Sequence, residues 1–318
     1  MAGSVEKREI SAVRVGARRS NLSLVQVKFV EHLLRATYPT LNIDIEEFTT
    51  SGDHQIDTPL PIIGGKGVFT EELEEALLSG RIDLAVHSLK DLPTAHRDGL
   101  TIGAVPERAS AADVVVSRHG VPLRGLPSGA VVGTSSLRRG AQILRHRSDL
   151  RIQSIRGNVE TRLRKVIEPD GGYEAIVLAA AGLERLALSN NVTETLPLDV
   201  MLPAPGQGAL AVQCRDEAAM HAFLAPIHHL PTALTTTAER AFLSGLGGGC
   251  SAPVAAYATL EGDRLEVRGR VTSVVGTEQV DVQLAITCST ETEADAAGRR
   301  LADEALAQGA TQLLGVTP

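Results

Sequence analysis

The stretch Leu202-Pro-Ala-Pro-Gly-Gln-Gly208 leads directly into a short apolar run, Ala209 to Val212. Two prolines and two glycines within seven residues favour an irregular connection, because proline lacks a backbone donor and glycine tolerates unusual backbone angles. The apolar run has the composition of a buried strand. We therefore predict a hinge at 202–208, followed by a strand that rejoins a first lobe built from the N-terminal part of the chain.

That first lobe is predicted by a pattern in the first 105 residues. Leu22 to Leu34 has apolar residues at helical spacing behind Ser20 or Asn21, either of which can cap a helix. Thr70 can cap a second helix, which Gly80 would end. Strands are expected at 13–17, 43–46, 82–86 and 100–105. This β-α-β-α order predicts a mainly parallel sheet with helices on both faces.

The same alternation starts again after Pro106. Strands are expected at 114–116, 131–133, 152–155 and 175–179, and helices at 137–147 and 159–167. Two similar units with short connections indicate two lobes with a cleft between them. Ligands of such folds bind outside the carboxyl ends of the strands.

The pattern changes at about Pro231, where a small α+β domain is predicted. Its expected elements are a helix at 237–246, strands at 254–260, 265–271 and 280–287, and a terminal helix at 291–308. The predicted fold class is therefore α/β, with two doubly wound lobes plus a small α+β C-terminal domain. The predicted domains are residues 10–106 with 206–225, residues 107–205, and residues 226–318.

The composition restricts the class of protein. Hydrophobic residues make up 43% of the 318 residues and charged residues 22%, as in ordinary soluble proteins. The polar N-terminus has no apolar signal core, and no apolar stretch approaches the roughly 20 residues of a membrane span, so a cytoplasmic protein is expected. The three cysteines form no Cys-x-x-Cys pair, so neither a disulfide framework nor a metal site is expected.

Basic residues are concentrated between Gly133 and Lys165, where nine of them are accompanied only by Asp149 and Glu160. This local excess of seven positive charges lies in a chain of net charge −7. The contrast indicates a cationic cleft on an acidic body, which favours small polyanions. Arginine forms forked pairs with carboxylate or phosphate groups. Solvated helix faces could account for about half of these charges, and the rest need a ligand.

Two strand-to-helix turns lie in this basic region, Gly133-Thr-Ser-Ser-Leu-Arg-Arg139 and Arg156-Gly-Asn-Val-Glu-Thr-Arg162. Such turns present backbone N–H groups and the positive end of a helix to an anion. For one turn alone, a capping motif with surface arginines is an equal alternative. Two parallel turns at one sheet edge favour an anion site. Arg18 and Ser20 occupy another strand-to-helix turn.

Lys90 and Asp91 belong to His87-Ser-Leu-Lys-Asp-Leu-Pro93, which follows a predicted buried strand. They therefore lie at the carboxyl end of that strand, where catalytic groups gather in α/β folds. A carboxylate there could exchange protons or stabilise a cation, and a structural Lys–Asp pair is the alternative. Gly64-Gly-Lys-Gly67 lacks the serine or threonine of a phosphate-binding loop and is predicted to be a mobile cleft loop.

Cys250 ends the glycine run at 247–249, where the backbone can approach a ligand closely and a thiol can be exposed. Cys214 and Cys288 lie in apolar strand patterns and are expected to be buried. A lone cysteine is more often structural than chemical, and the three glycines favour the chemical alternative without deciding it.

In their order along the chain, these segments resemble the porphobilinogen deaminase family. The resemblance runs from about Val13 to Ala258 and rests on Arg18 to Ser20, Gly64-Gly-Lys-Gly-Val-Phe69, His87 to Pro93, Gly133 to Arg139, Arg156 to Arg162, Ala180-Ala-Gly-Leu-Glu-Arg185, Leu202 to Gly208, and Thr237-Ala-Glu-Arg240 through Cys250. Each segment alone is a weak signal, whereas the ordered set is specific. The departures are local: Asn21 replaces a frequent proline, Gly247 a common acidic residue and Ser251 a common glutamine.

The resemblance implies a fold of two periplasmic-binding-protein-like lobes and a cysteine-bearing third domain. It implies a transferase, hydroxymethylbilane synthase, that joins four porphobilinogen molecules head to tail with release of ammonia. The product is the linear tetrapyrrole hydroxymethylbilane of haem biosynthesis. The primer would be a dipyrromethane cofactor held by a thioether to Cys250. The expected partner is a small-molecule substrate, with no nucleic acid and no membrane, and the expected state is a monomer.

The resemblance also implies roles for single residues. Asp91 and its neighbour Lys90 match the catalytic position, where the aspartate protonates the departing amine and stabilises the pyrrole nitrogens as positive charge develops. Phe69 matches a residue near the pyrrole rings, and no metal is implied. The residues that match binding positions for acetate and propionate groups are Arg18, Ser20, Lys90, Ser136, Arg138, Arg139, Arg156, Arg162 and Arg185.

Two other functions are open at this point. A two-lobed, non-catalytic binding protein for a small dicarboxylate would usually carry an export signal and would have no use for Asp91 or Cys250. An RNA-binding basic patch predicts affinity for mixed RNA that falls steeply with salt. With 3% aromatic residues, however, the chain has few platforms for base stacking.

Overall fold

The computed structural model describes residues 10–49, 70–95, 97–168, 171–247 and 252–314. Within these ranges the strands are β1 Ala12–Arg18, β2 Asn42–Phe48, β3 Leu84–Ser88, β4 Leu100–Ala104, β5 Asp113–Ser117, β6 Val131–Gly133, β7 Arg151–Gln153, β8 Ala175–Ala179, β9 Glu194–Thr195, β10 Leu210–Arg215, β11 Val254–Glu261, β12 Arg264–Thr272 and β13 Gln279–Thr287. The α-helices are α1 Asn21–Thr37, α2 Glu71–Leu78, α3 Leu137–His146, α4 Val159–Ile167, α5 Ala180–Arg185, α6 Ala218–Leu224, α7 Leu230–Gly245, α8 Glu291–Ala307 and α9 Ala310–Leu313.

The first sheet has the strand order β2-β1-β3-β10-β4. β1 is parallel to β2 and to β3, and the predicted strand that rejoins the first lobe is confirmed as β10. The prediction of a mainly parallel sheet is wrong for the pairs that β10 makes, since β10 is antiparallel to both of its neighbours. Leu210 pairs with Ser88, where β3 ends, so the returning chain enters at the carboxyl end of β3 and must run in the opposite direction.

The second sheet repeats this topology in the order β7-β6-β8-β5-β9. β6 is parallel to β7 and β8, whereas β5 is antiparallel to β8 and β9. Asp113, at the start of β5, pairs with Ala179 at the end of β8. Each lobe is therefore completed by one strand that enters at the carboxyl end of its central strand.

The two connections between the lobes lie side by side. The backbone N–H of Ala109 donates to the carbonyl of Gly208 at 3.2 Å. Gly208 has a φ of +88°, and a Cβ at this position would lie 2.5 Å from the carbonyl oxygen of Ala109. Glycine is therefore required where the connections touch. The predicted hinge motion of this segment stays a prediction.

Helix caps explain why three of the predicted strand-to-helix turns form. Ser20, Ser136 and Asn158 are the N-caps of α1, α3 and α4. Each side chain accepts a hydrogen bond from the backbone N–H three residues later, at 3.2, 3.4 and 2.8 Å respectively. Each cap satisfies one of the N–H groups that a helix start leaves without an internal partner, and so fixes where the chain turns.

The C-terminal domain consists of the antiparallel sheet β11-β12-β13 packed against α7 and α8. The predicted start of α7 at residue 237 is wrong, because the helix begins at Leu230. Pro231 lies in its first turn, where a missing N–H removes no internal hydrogen bond. The predicted fold class, two doubly wound α/β lobes and a small α+β domain, is confirmed. No helix in the described ranges is both long and apolar enough to cross a membrane.

Candidate active site between the two lobes

The first lobe presents Lys90 and Asp91 on a short 3-10 turn, Leu89–Asp91, directly after β3. Leu89 is fully buried and its N–H donates to the carbonyl of Ala209 at 3.0 Å, which attaches the turn to the segment that returns from the second lobe. Lys90 is half-buried and Asp91 is exposed. The turn therefore holds a carboxylate at the solvent-accessible carboxyl end of a central strand, as the sequence predicts.

The second lobe places Arg138 and Arg139 in the first turn of α3, where both are buried. Both contact Asp113, which is fully buried at the start of β5. Arg138 Nη1 donates to Asp113 Oδ2 at 2.7 Å and Arg139 Nε donates to Oδ1 at 2.9 Å. Arg138 also donates to the carbonyl of Leu202 at 2.7 Å.

Asp113 compensates part of the charge of these two arginines. Burial by itself would raise its pKa, but the positive charges of Arg138 and Arg139 and the hydrogen bond from Arg138 lower the pKa to about 2. The carboxylate is therefore ionised at neutral pH. Two guanidiniums against one carboxylate leave the pocket with a net positive charge, which suits an anionic ligand.

Gln207 connects the two lobes at this point. Its Oε1 accepts from Lys90 Nζ at 3.4 Å and from Arg139 Nη2 at 3.5 Å, and its Nε2 donates to the carbonyl of Ala111 at 2.7 Å. The side chain is fully buried. A lysine of the first lobe and an arginine of the second therefore share one acceptor, so the predicted cationic residues of the two lobes meet.

Lys90 is a cation in an unfavourable position. Burial lowers the pKa of its ammonium group to about 8, with Asp91 opposing this shift and Arg139 adding to it. The group therefore remains mostly protonated at pH 7. A ligand carboxylate bound beside it would stabilise the charged form.

Arg156 and Arg162 come from the second anion-binding turn that the sequence predicts, at the start of α4. Arg162 Nε donates to the carbonyl of Gly157 at 2.8 Å. The pKa of Arg162 is lowered to about 10, mainly by burial and also by the charges of Arg139 and Arg156, while the charge of Asp91 opposes this shift. These charges act on one another, so the two predicted turns and Asp91 contribute to one electrostatic site.

Arg18 and Ser20 line a cavity in the first lobe together with Gln26, His87 and Asp91. His87 is buried, and its Nε2 lies 3.1 Å from Oε1 of Gln213. Burial lowers the pKa of His87 to about 4, so its ring is neutral at pH 7. The cavity therefore combines an arginine, a helix cap and the exposed carboxylate of Asp91.

Arg185 lies at the end of α5, and its Nη2 donates to the carbonyl of Gly208 in the connection between the lobes at 2.8 Å. Burial lowers the pKa of its guanidinium, and Glu184 opposes that shift. Two other predicted site residues, Phe69 and Cys250, lie outside the described residues, as does the glycine-rich segment at 64–67. Their predicted roles stay predictions.

Three functional positions were missed by the sequence analysis or left without a role. Asp113 was missed because an acidic residue before a strand is typical of an exposed strand start. Gln207 was noticed within the hinge segment, but its two bridging contacts depend on how the lobes meet. His87 was named only as part of a motif, and an apolar strand before it was the signal that could have predicted its burial.

Fold and site together define a class of protein: a two-lobed α/β protein in which a half-buried lysine and buried arginine side chains lie around an exposed carboxylate. Family models narrow this class. The model for "Porphobilinogen deaminase, dipyromethane cofactor binding domain" matches residues 13–222, and that for "Porphobilinogen deaminase, C-terminal domain" matches residues 233–307. The chain belongs to the porphobilinogen deaminase family.

Relatives over nearly the whole chain agree with this assignment. A porphobilinogen deaminase of Syntrophotalea carbinolica is 46% identical, with 97% of this chain and 98% of that protein covered. A porphobilinogen deaminase of Brevibacillus brevis is 44% identical, with 95% and 96% covered. Among solved structures, the methionine binding protein MetQ has 13% identity and a TM-score of 0.43, with 69% of this chain and 91% of that chain covered. At that score the structural similarity does not bear on function.

Proposed function

We propose that this chain condenses four porphobilinogen molecules head to tail, with release of ammonia, to give the linear tetrapyrrole hydroxymethylbilane. Family membership over both matched regions supports this reaction. The observation that carries it is the shared acceptor Gln207, which brings Arg139 of the second lobe to Lys90 of the first, the chain neighbour of Asp91. A substrate with several carboxylates and a reacting amine needs cations that bind the carboxylates and an acid that protonates the amine in one cleft.

The donor set fits the dipyrromethane cofactor of the family. Its acetate and propionate groups are anions, and burial lowers the pKa of both Lys90 and Arg162, so both cations gain from an anionic partner. When bound, the cofactor supplies the pyrrole end to which the first substrate is joined. In this proposal Cys250 holds the cofactor through its thiol, and Phe69 packs against a pyrrole ring.

Asp91 is the proposed proton donor and electrostatic stabiliser. Its carboxyl group protonates the departing amine, and its carboxylate stabilises positive charge at the pyrrole nitrogen. Lys90 is proposed to bind a carboxylate beside it. The other proposed carboxylate-binding residues are Arg18, Ser20, Ser136, Arg138, Arg139, Arg156, Arg162 and Arg185. Among them, Arg138 and Arg139 are already paired with Asp113, which fixes their orientation before a ligand arrives.

In this proposal the chain forms three domains: residues 10–106 with 206–225, residues 107–205, and residues 226–318. The protein is then a cytoplasmic monomer without nucleic-acid or membrane partners. Two of the arginines that could have formed an RNA-binding patch, Arg138 and Arg139, are only 4% and 7% exposed. Their burial supports a small ligand rather than a polynucleotide.

An intact mass followed by a peptide map tests the covalent part of the proposal. We expect a mass increment of two linked pyrroles on the peptide that contains Cys250, and none in Cys250→Ser. If the increment is absent, porphobilinogen is supplied and the protein is weighed again. A protein that still gains no mass would contradict the covalent primer.

Asp91→Asn tests the catalytic part, with Asp98→Asn as the matched control because Asp98 is an exposed acid of the same lobe. We expect Asp91→Asn to lower kcat for ammonia release by about 100-fold or more while porphobilinogen still binds. Asp98→Asn should retain the wild-type rate. Ligand binding without turnover in the wild-type protein would instead indicate the non-catalytic binding protein.

A further inference from the structure

Arg240 joins the C-terminal domain to the turn that carries Lys90 and Asp91. It lies on α7, and its guanidinium donates to three backbone carbonyls of the first lobe. Nη1 lies 3.2 Å from the carbonyl oxygen of Leu89 and 2.8 Å from that of Leu92, and Nη2 lies 2.7 Å from that of Pro93. The residues that carry these three carbonyls lie on both sides of Lys90 and Asp91 in the sequence.

Hydrogen bonds within the turn Leu89–Asp91 do little to define its shape. Its internal hydrogen bond runs from the N–H of Leu92 to the carbonyl of Leu89 at 3.2 Å, and a single 3-10 turn is a weak element. Outside contacts therefore decide where Asp91 lies. The side chains of Leu89 and Leu92 pack into a buried cluster that includes Ala233 of α7. One helix thus supplies both an apolar surface under the turn and a guanidinium that binds its carbonyls.

Arginine suits this arrangement better than lysine. Its planar group presents donors in fixed directions and can bind several acceptors at once, whereas the lysine ammonium is a compact charge on a flexible chain. The neighbouring residue Glu239 contacts a different junction, where it accepts from both terminal nitrogens of Arg108 at 2.7 and 3.0 Å. α7 is therefore fixed at the junction of the two lobes, and Arg240 projects from a fixed position.

We infer that Arg240 is a positioning residue, which holds Asp91 in register with the cofactor by tying the turn Leu89–Asp91 to α7. This inference rests on the proposed function, because it takes Asp91 as the catalytic acid and Cys250 as the cofactor attachment. Cys250 follows Arg240 by ten residues in the sequence, shortly after α7 ends. The same helix therefore leads to the attachment residue and orients the acid.

The test compares Arg240→Met and Arg240→Lys with Arg299→Met. Arg240 and Arg299 both line a cavity between the first lobe and the C-terminal domain. Among the described residues, the Arg299 guanidinium pairs with Asp295, one turn earlier on α8, at 2.6 Å. The variants are purified with cofactor, and intact mass gives the loaded fraction by which each rate is divided. Ammonia release then gives kcat and KM, and hydrogen exchange followed by mass spectrometry reports on the peptide that contains residues 89–93.

For Arg240→Met we expect kcat per loaded enzyme to fall about 10- to 100-fold, the effect of a misplaced catalytic group, while KM for porphobilinogen changes less than about threefold. Exchange in the 89–93 peptide should be faster. Arg240→Lys should recover only part of the rate, and Arg299→Met should match the wild type in both readouts. If Arg240→Met does not fold, Arg240→Lys carries the same comparison.

A kcat within about twofold of the wild type and unchanged exchange at 89–93 in both Arg240 variants would overturn the inference, even if their thermal stability falls. Such a result would make Arg240 a contact between domains without influence on the acid. A wild-type protein that loads no cofactor and releases no ammonia would instead contradict the proposed function. In that case the exchange comparison still decides whether Arg240 holds the turn.

Discussion

Asp113 lies fully buried with its Oδ2 2.7 Å from Nη1 of Arg138, although the two residues are 25 positions apart in the chain. Its other oxygen binds Arg139. The strand that begins at Asp113 enters the second lobe from the first, whereas both arginines start a helix within that lobe. The strand that completes the second sheet therefore also supplies the carboxylate that orients the two guanidiniums.

Asp113→Asn should destabilise the protein by about 3–5 kcal/mol, because it leaves two buried guanidiniums without their carboxylate. The free energy of unfolding in urea at pH 7 measures this loss. Asp199→Asn is the control, since the Asp199 side chain is 87% exposed in its pair with Arg268 and should cost less than about 1 kcal/mol. Equal losses in the two variants would contradict a special role for Asp113.

The contacts of Asp113 with the two arginines also predict how the free energy of unfolding depends on pH. Burial would raise the pKa of Asp113, but the arginines lower it to about 2, below its ordinary value of 3.8. Because the folded pKa is the lower one, the stabilisation of about 2 kcal/mol is complete above about pH 5 and is lost as the pH falls from about 4 to 2. The difference in unfolding free energy between wild type and Asp113→Asn should therefore shrink over that window, and a constant difference would contradict the assignment.

Lys90 should make substrate binding sensitive to alkaline pH. Its pKa of about 8 means that the ammonium loses its proton as the pH rises from 7 to 9, so one partner for a substrate carboxylate loses its charge. We expect KM for porphobilinogen to rise through this range. In Lys90→Arg, whose guanidinium stays charged, the rise should be absent. Lys28→Arg, at an exposed position of α1, should behave like the wild type. The same rise in Lys90→Arg would assign it to another group.

The stability of the junction between the two lobes and the C-terminal domain should depend on Glu239. Its carboxylate is fully buried and accepts from Arg108, from the N–H of Gly206 at 2.7 Å and from the N–H of Ala258 at 2.8 Å. Glu239→Gln removes the charge that pairs with Arg108, and a loss of about 3–5 kcal/mol in unfolding free energy is expected.

Glu217→Gln is the matched control for that substitution. Glu217 pairs with Arg215 at 3.1 Å, and its side chain is 55% exposed, so the loss should be below about 1 kcal/mol. A Glu239→Gln protein as stable as Glu217→Gln would show that the buried pair contributes little to holding the parts together.

Most elements of both lobes could be predicted from sequence because strand and helix periodicities are local, but the short elements α5, α6 and β9 were not predicted. The direction of β10 could not, since it depends on where the returning chain enters the sheet. The charge of the cleft was predictable from the arginines between Gly133 and Lys165. What Arg138 and Arg139 contact was not predictable, because Asp113 lies outside that stretch and reaches them only through the crossing strand.

The hairpin between β12 and β13 yields the last prediction, because it packs against the end of α3. Gly276 has a φ of +76°, and a Cβ there would lie 2.6 Å from the backbone nitrogen of Arg145. Arg145 Nη1 also donates to the carbonyl of Thr277 at 2.9 Å. Gly276→Ala must therefore push the hairpin away from α3, and thermal unfolding should show a loss of about 2–4 kcal/mol from the clash and the strained φ together. Gly262 also has a positive φ, +62°, but no atom of the described residues lies within 4 Å of an added Cβ, so Gly262→Ala should lose only about 1 kcal/mol. Equal losses would mean that backbone strain, and not the contact between the C-terminal domain and the second lobe, decides the effect.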